Sequence, residues 1–320
     1  MTKNSRLGLW LLIPACILTL AARTVQICAG TDMNSGFLKH DNGFLMNFCF
    51  WGAVVLTLAA GIAAAVLDRK RGGALYTVPV SGITGGRAAA IGFALMILAM
   101  AALYEGYREA VIPEGNNISP LPFLTVVNFL FGGIMLVTAF VILYLKEFKP
   151  ALGFAVSAGA VYYTLRGIGI FLERMAITTV PEYLINCMSI ILAAVFFMQL
   201  ARLLSGNEGK RTREALAVSG AVAAATILGN SAAVAAAAVA GSAEVSSRIV
   251  FTGTEAEILY QLAHGKDAYF MSFTPVSTIA GGVFIIVALT VLCMKPGTAQ
   301  EPASAEDQPE EGTPDISAGE

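Results

Sequence analysis

Apolar residues fill eight stretches of this chain, and each stretch is long enough to cross a lipid bilayer as a helix. About 20 residues suffice, because an α-helix rises about 1.5 Å per residue and the hydrocarbon layer is about 30 Å thick. The polar-apolar alternation of membrane β-barrel strands is not seen. We therefore predict an all-α integral membrane protein with eight transmembrane helices. The predicted spans are 7–28, 45–67, 88–108, 121–145, 151–172, 182–204, 215–241 and 272–294.

The composition supports this class and argues against a soluble domain. Hydrophobic residues make up 56% of the chain and charged residues 13%, whereas a soluble domain of this size needs far more polar surface. The basic clusters at 68–71 and 210–213 are short and lie directly beside spans. They are typical of membrane topology signals and not of nucleic-acid contacts. The lipid bilayer is thus a predicted partner, and nucleic acid is not.

The positions of Lys and Arg predict the orientation in the membrane, because basic residues accumulate on the cytoplasmic side. Most of them precede span 1 or follow spans 2, 4 and 6, so they share one side. An even number of spans then places both termini there. We predict a multi-pass protein of the cell membrane with both termini cytoplasmic. The basic residues concerned are Lys3, Arg6, Arg69, Lys70, Arg71, Arg87, Lys146, Lys149, Arg202, Lys210, Arg211 and Arg213.

Span 1 also has the features of a cleavable signal peptide: a basic start, an apolar run and the small residues Ala21 and Ala22. Apolar character resumes after Arg23, however, with Val25 and Ile27. Span 1 also has a counterpart in the internal repeat described next. We favour a retained first helix.

Spans 4 and 8 resemble each other closely, which suggests an internal duplication. When their Gly-Gly pairs are superposed, further identical residues coincide without a gap. Asn128 then lies opposite Ser277. The identical pairs are Thr125/Thr274, Val127/Val276, Gly132/Gly281, Gly133/Gly282, Ala139/Ala288, Leu143/Leu292 and Lys146/Lys295.

The remaining spans match more weakly but in the same order. Arg23 of span 1 corresponds to Arg166 of span 5, and Asn47 of span 2 to Asn186 of span 6. We predict a first four-helix repeat over 1–149 and a second over 150–295. Each repeat has an even number of spans, so the two halves should be parallel, related by an axis along the membrane normal.

The C-terminal segment 296–320 differs from the rest of the chain. It holds seven acidic residues, several prolines and no basic residue. Such a segment buries too little apolar area to offset the entropy of ordering it. We predict a disordered acidic tail.

Polar residues within the spans are the candidates for a binding site. An Arg near the centre of a membrane helix costs about 2.5–3.5 kcal/mol on insertion scales, so it needs a reason to be there. Guanidinium groups bind carboxylates and phosphates in a bidentate fashion, which favours a small anionic solute as ligand. The candidate substrate-binding residues, expected to line a pocket between the two repeats, are Arg23, Asn47, Asn128, Arg166 and Asn186.

The same residues have a structural interpretation. Each Arg could extend to the lipid headgroups, or pair with Glu105, Glu173 or Glu182 and so hold helices together. Asn230, in an Ala-rich and Gly-rich span, could form a hydrogen bond across a helix interface or contribute to a pocket.

The sequence contains no recognisable catalytic machinery. Its two histidines, His40 and His264, both lie in predicted outer loops, and the phosphate-binding, nucleophile-elbow and metalloprotease motifs are missing. We predict no catalytic residue, no metal site and no cofactor. The leading hypothesis is a small-solute transporter or permease. The alternative is a non-transporting scaffold, sensor or accessory subunit, whose protein partner could bind the outer loop 241–271.

Overall fold

The structure, a computed structural model, describes residues 7–30, 43–70, 83–111, 122–174, 181–207, 211–240 and 276–293. In these ranges the chain forms eight α-helices, one π-helical turn and no β-strand, so the predicted all-α class is confirmed. The helices are α1 (Leu7–Val25), α2 (Gly43–Lys70), α3 (Gly86–Val111), α4 (Pro122–Leu145), α5 (Pro150–Arg174), α6 (Pro181–Leu204), α7 (Thr212–Ala240) and α8 (Val276–Cys293). The π-helical turn, Gln26–Gly30, continues α1.

Proline and left-handed residues mark several helix ends. Helices α4, α5 and α6 begin at Pro122, Pro150 and Pro181. Proline suits the first turn because the N–H that it lacks has no intrahelical partner there. After α6, Gly206 has a φ of 74°, and its N–H donates to the carbonyl of Leu203. This is the usual way in which glycine ends a helix.

Within the described ranges, five helices contain apolar stretches long enough to cross a membrane. The coarse prediction of a helical multi-pass membrane protein is therefore confirmed. Helices α1 and α8 hold shorter apolar stretches, and the count of eight spans stays a prediction. The five stretches are Gly43–Ala63, Gly86–Tyr107, Phe123–Leu145, Ile185–Leu204 and Thr212–Ala232.

The distribution of side chains is the reverse of that in a soluble protein. Large apolar side chains point outward, with Tyr144 87% and Phe154 84% exposed. Three charged residues of the helices are buried instead, with Arg23 0%, Glu105 1% and Arg166 8% exposed. Large exposed apolar surfaces mark contact with lipid or with another protein, and these lie on helices long enough to span a bilayer. The outer surface therefore matches a hydrocarbon environment.

Helices α3 to α8 pack into a closed bundle. Each contacts the next along the chain, and α8 returns to contact α3. The pair α1 and α2 lies outside this bundle, where both helices pack against α7. Helix α7 thus joins the pair to the six-helix bundle, and side chains of α2 also pack against Ile185 of α6.

This arrangement agrees with the predicted repeat in some respects only. The pair α1–α2 packs as α5–α6 does, and α3–α4 packs as α7–α8 does. However, α5 and α6 belong to the bundle, whereas α1 and α2 lie beside it. The division into repeats over 1–149 and 150–295 stays a prediction, and the acidic tail 296–320 lies outside the described residues.

The inside of the bundle contains a group of packed aromatic rings. Phe131 stacks on Tyr162 with ring centroids 3.9 Å apart, and Tyr163 stacks on Phe197 at 5.3 Å. Phe197 in turn stacks on Phe284 at 5.2 Å. Offset and edge-to-face aromatic contacts stabilise a core beyond their buried area. These rings fix the position of α5, which carries Arg166.

The first glycine of the Gly132-Gly133 pair allows α4 to approach α3 closely. A Cβ at Gly132 would lie 2.6 Å from the Leu103 side chain and 3.1 Å from the carbonyl oxygen of Ala99. A Cβ at Gly133 would meet nothing within 4 Å. Small residues at helix crossings are typical of membrane bundles.

We expect Gly132→Ala to lower the stability of the purified protein by about 1–3 kcal/mol, because the new methyl group overpacks the α3–α4 crossing. The matched control, Gly133→Ala, faces open space and should leave the melting temperature unchanged or slightly higher. Thermal unfolding in detergent measures both. Equal melting of the two variants would contradict this description of the crossing.

Candidate functional site

A buried ion pair between Glu105 and Arg166 is the centre of the candidate site. Arg166 Nη1 lies 2.6 Å from Glu105 Oε2. The Arg166 side chain is 10% exposed and the Glu105 side chain is 1% exposed. Glu105 lies near the C-terminal end of α3, and Arg166 lies near the C-terminal end of α5. An ion pair in these surroundings is strong but requires further hydrogen bonds to offset the loss of hydration.

The first turn of α8 supplies two of those hydrogen bonds through Ser277. Its backbone N–H donates to Glu105 Oε1 at 2.9 Å, and its hydroxyl donates to Glu105 Oε2 at 2.7 Å. The N–H groups of a first helical turn have no carbonyl partner in their own helix, and the helix dipole favours negative charge there. Glu105 therefore acts as a cap that one helix provides for another.

Asn128 of α4 and Tyr162 of α5 complete the arrangement. Arg166 Nη1 donates to Asn128 Oδ1 at 3.1 Å and to the Tyr162 hydroxyl at 2.8 Å. The Tyr162 hydroxyl lies 3.0 Å from Asn128 Oδ1 and 2.8 Å from Ser277 Oγ, and it donates to one of them at a time. We call Glu105, Asn128, Tyr162, Arg166 and Ser277 the Glu105–Arg166 network.

The network lies at one end of the bundle for a simple topological reason. It uses the C-terminal parts of α3 and α5 and the N-terminal parts of α4 and α8. Helices that alternate in direction bring these parts to the same level. Four helices therefore meet at a single buried polar centre, and a shift of any one of them would change its hydrogen bonds.

A second buried network surrounds Arg23 and holds α1, α2 and α7 together. Arg23 Nε donates to Asn230 Oδ1 at 2.8 Å, and Arg23 Nη1 donates to Gln26 Oε1. Gln26 Nε2 then donates to Asn47 Oδ1 at 2.7 Å. The guanidinium also lies over the ring of Phe50, 5.5 Å from its centroid, a favourable cation–π contact. We call these residues the Arg23 network.

The π-helical turn that follows α1 places Gln26 in this network. Turns of this kind are rare and often occur at functional sites. At its end, Gly30 lies against α2, where a Cβ would be 2.7 Å from the Cβ of Met46. Glycine therefore permits close contact between the π-helical turn and the start of α2.

The structure separates the residues that the sequence grouped into one pocket. Arg166 and Asn128 lie in one network, Arg23 and Asn47 in the other, and the described hydrogen bonds do not join the two. Asn186 is buried in α6 at 5% exposure.

The other candidate residues fall into two groups. Glu105 pairs with Arg166, and Asn230 forms a hydrogen bond across a helix interface with Arg23. The side chains of Glu173 and Glu182 lie outside the described residues.

Two members of the Glu105–Arg166 network were not among the predicted site residues. Tyr162 precedes Arg166 by four positions, so both lie on one face of α5; this spacing was a usable signal. Ser277 lies opposite Asn128 in the predicted repeat, and both approach the Tyr162 hydroxyl. The alignment of spans 4 and 8 therefore pointed to Ser277 as well.

The described residues also include a small apolar cavity at the other end of the bundle, which lacks the polar groups an anion needs. Its lining is Ile83, Ile91, Leu95, Phe148, Val156, Leu200, Leu204, Phe284, Ala288 and Leu292. Among the described residues, no three His, Cys, Asp or Glu side chains come close enough to hold a metal ion.

Comparison with known proteins gives no match: no family model, curated protein or solved structure is similar enough to place this chain in a family. Its class therefore follows from its own features. Apolar helices of membrane-spanning length and an inward-facing set of charges define a helical multi-pass membrane protein with buried polar networks.

We expect Asn230→Leu to destabilise the protein by about 1.5–3 kcal/mol, because Arg23 would lose a hydrogen-bond acceptor inside the fold. Thr226→Val is the matched control on α7. The Thr226 side chain is also buried, and its described hydrogen bonds go to carbonyls of its own helix. Thermal melting that falls equally in both variants would argue against a special role for the Arg23–Asn230 contact.

We expect Arg166→Gln alone to destabilise the protein by about 3–5 kcal/mol, because it leaves the Glu105 carboxylate buried without its cation. Adding Glu105→Gln removes both charges and should restore much of that stability. Melting temperatures of the single and double variants complete the thermodynamic cycle. Strictly additive losses would show that the two side chains are not energetically coupled.

Proposed function

We propose that this protein is a small-solute transporter of the cell membrane whose binding centre is the Glu105–Arg166 network. In this proposal all eight helices span the membrane and both termini are cytoplasmic. The buried ion pair is the observation that carries the proposal. Ionisable residues inside a membrane are costly, and they commonly mark the path of a substrate or ion.

The donors around Glu105 favour an anionic solute. They are the Arg166 guanidinium, the Ser277 N–H in the first turn of α8, and the Ser277 hydroxyl. A guanidinium and a helix N-terminus are the groups that proteins use to bind carboxylates and phosphates. The chain already places one carboxylate, that of Glu105, at this position.

The number of helices at the network also suits transport. Glu105, Asn128, Arg166 and Ser277 come from α3, α4, α5 and α8, respectively. Alternating access requires helices to move relative to one another around a fixed site. Movement of any one of these helices would therefore change the hydrogen bonds of the network.

We assign the Arg23 network a supporting role. It joins α1 and α2 to α7 through Arg23, Gln26, Asn47 and Asn230. In the predicted repeat, Arg23 is the counterpart of Arg166, but the described hydrogen bonds place the two arginines in separate networks. We therefore place the solute at Arg166 and not between the two arginines.

One observation favours the rival function, that of a non-transporting scaffold, sensor or accessory subunit. Glu105 already neutralises Arg166, and the pair is closely packed. A permanent lock between α3, α5 and α8 would look the same. The predicted partner surface, the outer loop 241–271, lies outside the described residues.

The test is a ligand screen on protein in phosphatidylcholine nanodiscs, followed by uptake into proteoliposomes. The panel contains inorganic phosphate, sulfate, small mono- and dicarboxylates, amino acids, nucleosides, sugars and anionic lipids. A solute present at about 100 times its Kd should stabilise the protein by about 2.7 kcal/mol. We expect stabilisation and uptake for an anionic class of solute.

The charge-balanced variant Glu105→Gln/Arg166→Gln provides the specific control, because it removes the binding charges together and should still fold. It should lose both ligand stabilisation and uptake. Arg202→Gln, at the C-terminal end of α6, changes an exposed cation and should retain both. A screen without any hit, together with normal melting of the double variant, would favour the scaffold.

A further inference from the structure

We infer that Glu105 and an anionic solute compete for the positive charge of Arg166, so that binding of the solute requires Glu105 to take up a proton. This inference rests on the proposed function, and it adds the chemistry of coupling. The solute would carry a carboxylate or a phosphate-like group, and the coupling ion would be H⁺.

Competition follows from the geometry around Glu105. Both carboxylate oxygens are occupied: Oε1 accepts from the Ser277 N–H, and Oε2 accepts from Arg166 and the Ser277 hydroxyl. Arg166 is the charged one of these donors, and its charge is what an incoming anion needs. Two negative groups cannot share that charge in a buried site, because like charges at close range in a low dielectric repel strongly. One of the two groups must lose its charge or leave.

The network can accommodate a protonated Glu105 without leaving a polar group unpaired. A proton on Oε2 would be donated to Ser277 Oγ, since a hydroxyl can accept as well as donate. Oε1 would continue to accept from the Ser277 N–H as a carbonyl oxygen. The Ser277 hydroxyl would then turn its proton toward the Tyr162 oxygen, 2.8 Å away.

Arg166 would be released from Glu105 in the same step but held in place. Asn128 Oδ1 and the Tyr162 hydroxyl accept from the same Nη1 atom that binds Glu105. That atom has two hydrogens and three close acceptors, so loss of the Glu105 contact leaves both hydrogens satisfied. The guanidinium would keep its position and offer its charge to the solute.

Few other charged or titratable groups face Glu105. The described contacts of its carboxylate come from Arg166 on α5 and Ser277 on α8. The titratable hydroxyls of Tyr162 and Tyr163 approach Ser277 from α5, and α4 contributes the neutral amide of Asn128. Glu105 is thus the carboxylate of this network, and we assign the proton to it. The proton would come from water on the side from which the solute enters.

The experiment measures anion binding and proton uptake together. Sulfate and trifluoroacetate serve as probes, because anions of strong acids keep their charge between about pH 5 and pH 9. Calorimetry in two buffers of different ionisation enthalpy gives the number of protons taken up. Phosphatidylcholine nanodiscs supply no anionic headgroup, and a parallel preparation with phosphatidylglycerol shows whether a lipid phosphate occupies the same donors.

For the wild type we expect uptake of about one proton per bound anion, and an affinity that falls with rising pH by up to about tenfold per pH unit. Glu105→Gln imitates the protonated state, so it should bind without proton uptake, independently of pH, and more tightly than the wild type at neutral pH. Glu147→Gln changes an exposed carboxylate at the other end of α4 and should behave as the wild type.

A second variant keeps the test decisive if Glu105→Gln does not fold. Ser277→Ala removes one donor to the ionised carboxylate, so it should move the pH dependence of anion binding upward by up to about one pH unit. An unchanged midpoint would overturn the assignment of the proton to Glu105.

The remaining outcomes separate the two proposals. Anion binding without proton uptake in the wild type would overturn the coupling and leave the transporter proposal standing. Failure of both probes to bind to the wild type and to Glu105→Gln would overturn the anion site, and the proposed function with it. Occupation by phosphatidylglycerol alone would identify a lipid contact and overturn the competition with a solute.

Discussion

A charge buried among apolar side chains must be neutralised nearby, and the rest of this structure depends on how that requirement is met for Arg166. Glu105 supplies the opposite charge at 2.6 Å, and Ser277 anchors Glu105 with two further hydrogen bonds. Because the partners come from α3, α5 and α8, the interaction can form only when those helices adopt one arrangement. The electrostatic requirement therefore selects the packing of the bundle around it.

The surrounding lipid makes this selection strict. Apolar side chains have little to gain by moving from lipid to the protein interior, so hydrophobicity does not determine which helices become neighbours. Close packing and polar contacts do so instead. Gly132 brings α4 against α3, the stacked rings of Tyr163 and Phe197 join α5 to α6, and Arg23 joins α1 to α7. Each contact is local, but together they specify the bundle.

The same network that locks the helices also has the properties of a binding centre. Its donors already hold a carboxylate, and the hydroxyls of Ser277 and Tyr162 can reverse their roles as donor and acceptor. A lock of this kind is stable as long as Glu105 is ionised, and it loosens when that charge is neutralised. Structure and function would then share one interaction, so stability and anion binding should respond to the same side chains.

The sequence by itself determined the helical class, the approximate helix bounds and the polar residues within the membrane. These depend on the length and hydropathy of single segments, which a linear chain displays directly. Only the tertiary structure decided that Arg166 meets Glu105 and Ser277, while Arg23 belongs to a separate network. Glu105 and Ser277 are 172 positions apart, and hydropathy says which residues are apolar but not which helix lies beside them. The predicted common pocket combined two sites that α7 and its neighbours hold apart, because helix packing and not sequence order sets their position.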